Sequence, residues 1–364
     1  MKETDTVSKA GIFNLNIKRP DRKIYDRVKK NFDSIAKPLD GLGDFETLVC
    51  RIASIEGDTD IHTERRASVI FCADNGIVEE GISQSGKEVT LSVAEALGSG
   101  ISTACTLARA CGVDVIPVDI GIDTDKILPG VRDMKVSRGT ADFLYKSAMS
   151  EEETLKAINA GISLACTLKE KGYHILSAGE MGIGNTTTST AVLSAVLNTD
   201  SDKITGRGAG LDEKGLLRKK EVIKKALGKY DIGAIKDPKE RAFKALMSMG
   251  GLDIAGIAGL IIGGAIQSMP VVLDGLITTA SAVVAEEMVP GVKEYLIPSH
   301  SGREGGNMLA LKSLGLAPFI NGNMALGEGT GAIMLFPLID VAVDFYKNAR
   351  SFNDYKIEEY KRFS

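Results

Sequence analysis

The sequence predicts an α/β protein: a parallel sheet flanked by helices, with a small helical domain assembled from both ends of the chain. Three observations carry this. From Ala67 onward, short β-branched runs alternate with longer segments of helical spacing, the pattern of a parallel sheet with crossover helices. Glycine is abundant, 40 of 364 residues, and recurs just after the apolar runs, where tight turns belong. Both chain ends, by contrast, have helical periodicity.

The stretch to about Ile55 alternates charged and apolar residues at helical spacing around the break Lys37-Pro38-Leu39-Asp40-Gly41-Leu42-Gly43, which predicts two helices and a loop. The predicted strands are Ser68–Ala73, Val113–Ile120, His174–Ala178, Val271–Asp274 and Tyr295–Pro298. Helices fill the gaps at Val89–Ala110, Glu152–Lys171, Thr187–Leu197, Leu216–Ala226, Lys244–Ile266 and Leu276–Met288. The acid-poor stretch from Met249 to Met269 is so apolar that it reads as a buried helix, in which Asp253 stands out. After Gly331 a last apolar helix, containing Pro337 and running to about Ala349, would fold back on the N-terminal helices. Residues 1–60 and 338–364 then form the small domain, and 61–337 the main one.

Composition narrows the function. The cysteines at 50, 72, 105, 111 and 166 contain no Cys-x-x-Cys pair and there are three histidines, so neither a zinc cluster nor a disulfide framework is expected, and no metal or cofactor. A formal net charge of −4 with scattered Lys and Arg offers no footprint for nucleic acid. The start Met-Lys-Glu-Thr-Asp-Thr does not read as a signal peptide, and no charge-free apolar run spans a bilayer, so a cytoplasmic protein with a small-molecule partner and no membrane is expected.

Polar residues close each predicted strand: Asp74-Asn75-Gly76, Asp119 with Gly121, Gly179-Glu180, Asp274-Gly275 and Ser299-His300. In open α/β sheets such ends converge on one ligand cleft. Some of these acids serve equally well as caps of the following helix. The densest signal is Gly179-Glu180-Met181-Gly182-Ile183-Gly184-Asn185-Thr186-Thr187-Thr188, between a strand and a helix, where backbone N–H groups and the helix N-terminus suit a phosphate. It lacks the Gly-Lys-Ser/Thr ending of a P-loop, and such turns also occur where nothing binds. Gly206-Arg207-Gly208-Ala209-Gly210-Leu211-Asp212 leads into a helix with Arg218, Lys219 and Lys220, any of which would reach a phosphate or lie solvated. In Leu326-Gly327-Glu328-Gly329-Thr330-Gly331, glycines expose Glu328 to close approach, and half-burial would raise its pKa toward what a general base needs. Ser299, His300 and Ser301 are adjacent only in sequence, which makes a cleft-lining role the better reading than a nucleophile pair.

Together these segments resemble the nicotinate-nucleotide:dimethylbenzimidazole phosphoribosyltransferase family. The matching stretches run from Lys37-Pro38 and Leu42-Gly43 through Cys72-Ala73-Asp74, Gly179–Thr187, Gly206-Arg207-Gly208, Gly250-Gly251-Leu252-Asp253, Pro270–Gly275 and Pro298-Ser299-His300 to Leu326–Ala332. The resemblance implies a Rossmann-like main domain and a homodimer with active sites near the subunit interface. It makes Glu328 the catalytic glutamate, with Glu180 a secondary carboxylate. Gly182, Asn185, Thr186, Lys219 and Gly327 fall to the nucleotide and its phosphate. Ser85, Val93, Met181 and Leu326 fall to the incoming base, and Asp74, Asp253, Asp274, Ser299 and His300 to the rest of the cleft. Departures are Asn75 where histidine is usual, Asp40 and Gly41 in the N-terminal loop, the altered turn Ser301–Gly306, and Val93 where some members carry glutamine.

The implied reaction moves the 5-phosphoribosyl group of nicotinate mononucleotide to 5,6-dimethylbenzimidazole or a related aromatic base, giving the α-ribotide and nicotinate for cobamide assembly. Two alternatives stay open. One is a phenolic or purine acceptor, with the chain paired to a paralogue as a heterodimer. The other is a nucleotide-binding homologue without chemistry.

Overall fold

Side-chain alternation within the apolar runs sorts the interior into two cores, one on each face of a sheet. A computed structural model describes residues 7–362; the start Met1–Thr6 and the last two residues of the expected small domain lie outside them. The strands are β1 (Arg66–Ala73), β2 (Asp114–Gly121), β3 (Arg132–Asp133), β4 (Ile175–Met181), β5 (Val271–Leu273) and β6 (Leu296–Pro298). They stand in the order β3-β2-β1-β4-β5-β6, every neighbouring pair parallel. Val69, Phe71 and Ala73 of β1 enter one core, and Ile70 and Cys72 the other. All eight residues of β1 are buried, as a strand covered on both faces must be.

The first core is closed by the helices Glu151–Glu170, Asn185–Val196, Leu252–Ile266 and Leu276–Met288. The second is closed by Arg22–Ser34, Asp44–Glu56, Glu88–Gly98, Thr103–Ala110 and the last long helix, Thr330–Asn348. That last helix does return to the N-terminal helices. Phe32 packs against Tyr346 in a tilted pair, 5.0 Å between ring centroids, and Asn31 Nδ2 donates to the Tyr346 hydroxyl (2.9 Å). It is also tied to the sheet, since the Arg66 guanidinium grips the Asp340 carboxylate with both arms (2.5 and 2.8 Å).

Five strands lie where the sequence places them, whereas two predicted helices are each broken in two. Val89–Ala110 divides into Glu88–Gly98 and Thr103–Ala110, with Gly100 left-handed (φ 72°) and Ser102 capping the second piece. Residues 88–110 together have the length and hydropathy of a membrane span, yet neither piece alone is long enough to cross a bilayer. Lys244–Ile266 divides into Pro238–Met249 and Leu252–Ile266 around the extended Gly250-Gly251. In both cases the apolar periodicity runs through the break, so the pattern alone does not mark it. The helix Gly305–Leu314 and the two-residue β3 were not expected.

Candidate functional site

The connections place the site. The chain builds β1, β2 and β3 outward on one side, then crosses back to lay β4, β5 and β6 on the other, so the sheet changes direction between β1 and β4. Crevices open beyond the carboxyl ends of strands at such a switch point. Asp74 follows β1 there, and β4 ends in Glu180-Met181. A cleft at this place is lined by Glu180, Met181, Gly182, Asn185 and Thr186 from the β4 loop, by Asp274 and His300 from β5 and β6, and by Leu326 and Gly327.

Its floor is acidic and buried. Asn185 Nδ2 donates to Asp253 Oδ2 (3.1 Å) and, in a shorter bond, to Glu180 Oε2, so one amide bridges two carboxyl groups. Burial, with the Asp253 charge next in weight, pushes Glu180 up to about 8. Burial raises Asp253 to about 6 against the hydrogen bonds from Asn185 and the Ile254 N–H. Glu180 is therefore protonated at neutral pH, which spares the pair from two adjacent buried charges. Asp253 reaches this position because the Gly250-Gly251 break starts its helix beneath the β4 loop.

Some strand-end acids serve the backbone. Asp274 Oδ1 accepts from Gly331 N (2.7 Å) and Ala332 N (3.2 Å), anchoring the first turn of the last helix, while His300 Nδ1 stands 3.8 Å away and 2.9 Å from Ser299 Oγ. Burial raises Asp274, with the neighbouring imidazole and these N–H groups opposing. Asp74 Oδ2 accepts from Asp123 N (2.8 Å). Asp119 turns away from the cleft to Ile122 N (2.9 Å) and Lys135 (3.2 Å).

Lys219 is wholly buried, and its ammonium donates to Thr186 Oγ1 (2.7 Å), at the end of the β4 loop where the next helix begins. Burial lowers it to about 8. Arg218 is turned to Glu80, whereas Lys219 is directed at the loop. The Gly206–Gly208 turn lies between Lys219 and the cleft.

Glu328 sits at the rim. Gly327, Glu328 and Gly329 are consecutively left-handed (φ 85°, 57° and 74°), a conformation that costs a non-glycine residue roughly 1–2 kcal/mol. The strained turn leaves Glu328 half-buried with Oε2 3.4 Å from Ala104 N, at the start of the Thr103–Ala110 helix. Burial raises its pKa; the Ala104 N–H and Ser102 pull the other way. Ser102 and Ala104 were not singled out from the sequence; the Ser102-Thr103-Ala104-Cys105 cap would have been the signal.

The phosphoribosyltransferase family model matches residues 17–357. Nicotinate-nucleotide–dimethylbenzimidazole phosphoribosyltransferases of Ruminiclostridium cellulolyticum and Acetivibrio thermocellus are 39% identical over 95% of this chain and 97% of theirs, and 40% over 92% and 94%. The chain belongs to this family. The crystal structure of the family's Thermus thermophilus member superposes with a TM-score of 0.86 at 32% identity, covering 93% of this chain and 99% of that one. The chain is accordingly an enzyme of the phosphoribosyltransferase class, with the α/β fold the sequence predicts.

Of the residues singled out for the family's site, nine line the cleft: Glu180, Met181, Gly182, Asn185, Thr186, Asp274, His300, Leu326 and Gly327. Lys219, Asp253 and Ser299 stand behind its wall, fully buried. Glu328 faces the Thr103–Ala110 helix from the rim. Val93 and Met181 are each partly buried against the second core, and the Val93 helix is joined to the β4 loop by Ile183 N donating to Thr90 Oγ1 (3.2 Å). Ser85 is half-buried in the loop leading into that helix, outside the cleft lining. Glu304 and Asn307 line the cleft, and the buried Thr90 supports the β4 loop at Ile183; none of the three was assigned a role in the site from the sequence.

Proposed function

We propose that this enzyme transfers the 5-phosphoribosyl group of nicotinate mononucleotide to 5,6-dimethylbenzimidazole or a related aromatic base. The observation that carries this is the strained, half-buried Glu328 at the rim of a cleft that has the buried Lys219 behind its wall, bonded to Thr186. The phosphate lies at the β4 loop, against Gly182, Asn185 and Thr186, near Lys219. The base enters between Leu326, Met181, Val93 and Ser85. Its nitrogen attacks C1′, the C1′–N bond to the pyridinium breaks, and the electron pair of that bond leaves with nicotinate. Glu328 takes the proton from the incoming N–H, exchanging its long contact with Ala104 N for the substrate. Attack opposite the leaving group inverts C1′ and gives the α-ribotide. Glu180, Asp253 and Asn185 hold the floor rigid beneath the ribose.

The Glu328→Gln variant is expected to lose about 10²–10⁴-fold in kcat with the KM for the nucleotide little changed, since a general base contributes on this order. Near-normal turnover at neutral pH with a benzimidazole acceptor would remove Glu328 from this role.

The same reading extends to the whole chain. The small helical domain expected over 1–60 and 338–364 is made, within the described residues, by 7–60 and 338–362, the molecule is a homodimer, and its free cysteines suit the cytoplasm. Met334, Leu338 and Val341 support the dimer, because they form an exposed apolar stripe on the last helix, which begins at Glu328's own turn.

A further inference from the structure

Glu304 precedes the helix Gly305–Leu314 but its side chain makes no capping hydrogen bond to it. Its side chain reaches across to the turn beside Lys219 instead. Gly208 N donates to Glu304 Oε1 (3.0 Å), while Oε2 is buried without a hydrogen-bond partner. That carboxylate lies against Gly206, where any β-carbon would collide with it. Behind the same turn is the Lys219 ammonium, 3.4 Å from where a β-carbon on Gly208 would stand, and the Glu304 charge acts on it to favour the protonated form. A backbone N–H and a facing buried cation are the partners a phosphate seeks. Here a carboxylate holds the N–H, and one of its oxygens has no donor.

We propose that Glu304 is an internal anion that closes the phosphate subsite and must be displaced by the 5′-phosphate of the nucleotide. The inference rests on the assignment of that subsite to the β4 loop and Lys219. A carboxylate and a phosphate dianion repel each other in one small desolvated place, so binding of one expels the other. Every incoming anion meets this cost alike. A nucleotide offsets it with its ribose and pyridine contacts, whereas inorganic phosphate has nothing else to offer. Glu304 thus sets an affinity threshold at the subsite, which free phosphate alone does not clear and the nucleotide, with its further contacts, does.

The test is calorimetric binding of inorganic phosphate to the full chain and to the Glu304→Ala and Glu304→Gln variants, the first clearing the subsite and the second removing only the charge. Both are expected to bind phosphate about tenfold or more tightly than the unaltered protein, the scale of one charge-assisted hydrogen bond. Phosphate should then compete with nicotinate mononucleotide at concentrations the unaltered enzyme ignores. Unchanged or weaker phosphate binding in variants that still turn over the nucleotide would overturn the role of Glu304 and leave the subsite intact. Adding Lys219→Ala should abolish the gain. A gain that survives it would place the anion elsewhere and overturn the subsite assignment as well.

Discussion

Glu180 is a carboxyl group whose folded environment makes it a pH-dependent liability. Its pKa is pushed from an ordinary 4.5 to about 8 by burial and by Asp253. Between those values the folded chain holds a proton that the unfolded chain has released. The stability this contributes is complete below the unfolded pKa and is lost as pH rises through the folded one. A glutamine is neutral throughout and still offers Asn185 an acceptor. The Glu180→Gln variant is therefore expected to melt with the unaltered protein near about pH 4.5 and to exceed it at about pH 8.5 by on the order of 2–4 kcal/mol. Melting curves that stay parallel across this range would mean that Glu180 is ionised at neutral pH. At this scale the sequence was readable where glycines framed a polar residue, as at Glu328 and Asn185. It was silent about Glu304, which acts through a turn nearly a hundred residues away.

The helices Glu151–Glu170 and Leu252–Ile266 meet along glycines, with backbones closer than side chains allow. A β-carbon on Gly259 would stand 2.0 Å from the Ile158 carbonyl oxygen, and one on Gly161 2.0 Å from that of Gly256. Gly259→Ala is expected to destabilise by about 3 kcal/mol or more, because neither backbone can retreat without opening the core. Gly228→Ala is the control: it lies in the helix Glu213–Tyr230 with no atom within 4 Å of the added carbon, and should be neutral or stabilising by up to about 1 kcal/mol. Denaturant unfolding of the two variants compares them directly, and equal midpoints would refute the close-packed seam. Element type was legible because the Leu252–Ile266 stretch is apolar all round. Its start at Gly251 was not, since two glycines neither extend nor interrupt an apolar pattern.

For the molecule as a whole, the strand order was beyond the sequence, although the strand ends were not. That Asp74, Glu180, Asp274 and His300 would gather followed from the parallel alternation, whereas which of them cap backbone and which face the cleft needed coordinates. The exposed stripe of Met334, Leu338 and Val341 carries the dimer proposal. Val341, 69% exposed, is replaceable without touching the core, so Val341→Glu should shift sedimentation toward the monomer while the circular dichroism of the folded protomer is retained. A sedimentation profile identical to that of the unaltered protein would exclude this stripe from the interface. The central claim, phosphoribosyl transfer from nicotinate mononucleotide to an aromatic base, is tested most directly by following both products together. With nucleotide and 5,6-dimethylbenzimidazole present, nicotinate and α-ribotide should appear in equal amounts, and neither should form when the base is withheld. Nicotinate released at the same rate without a base, or no α-ribotide with any azole, purine or phenol, would contradict it.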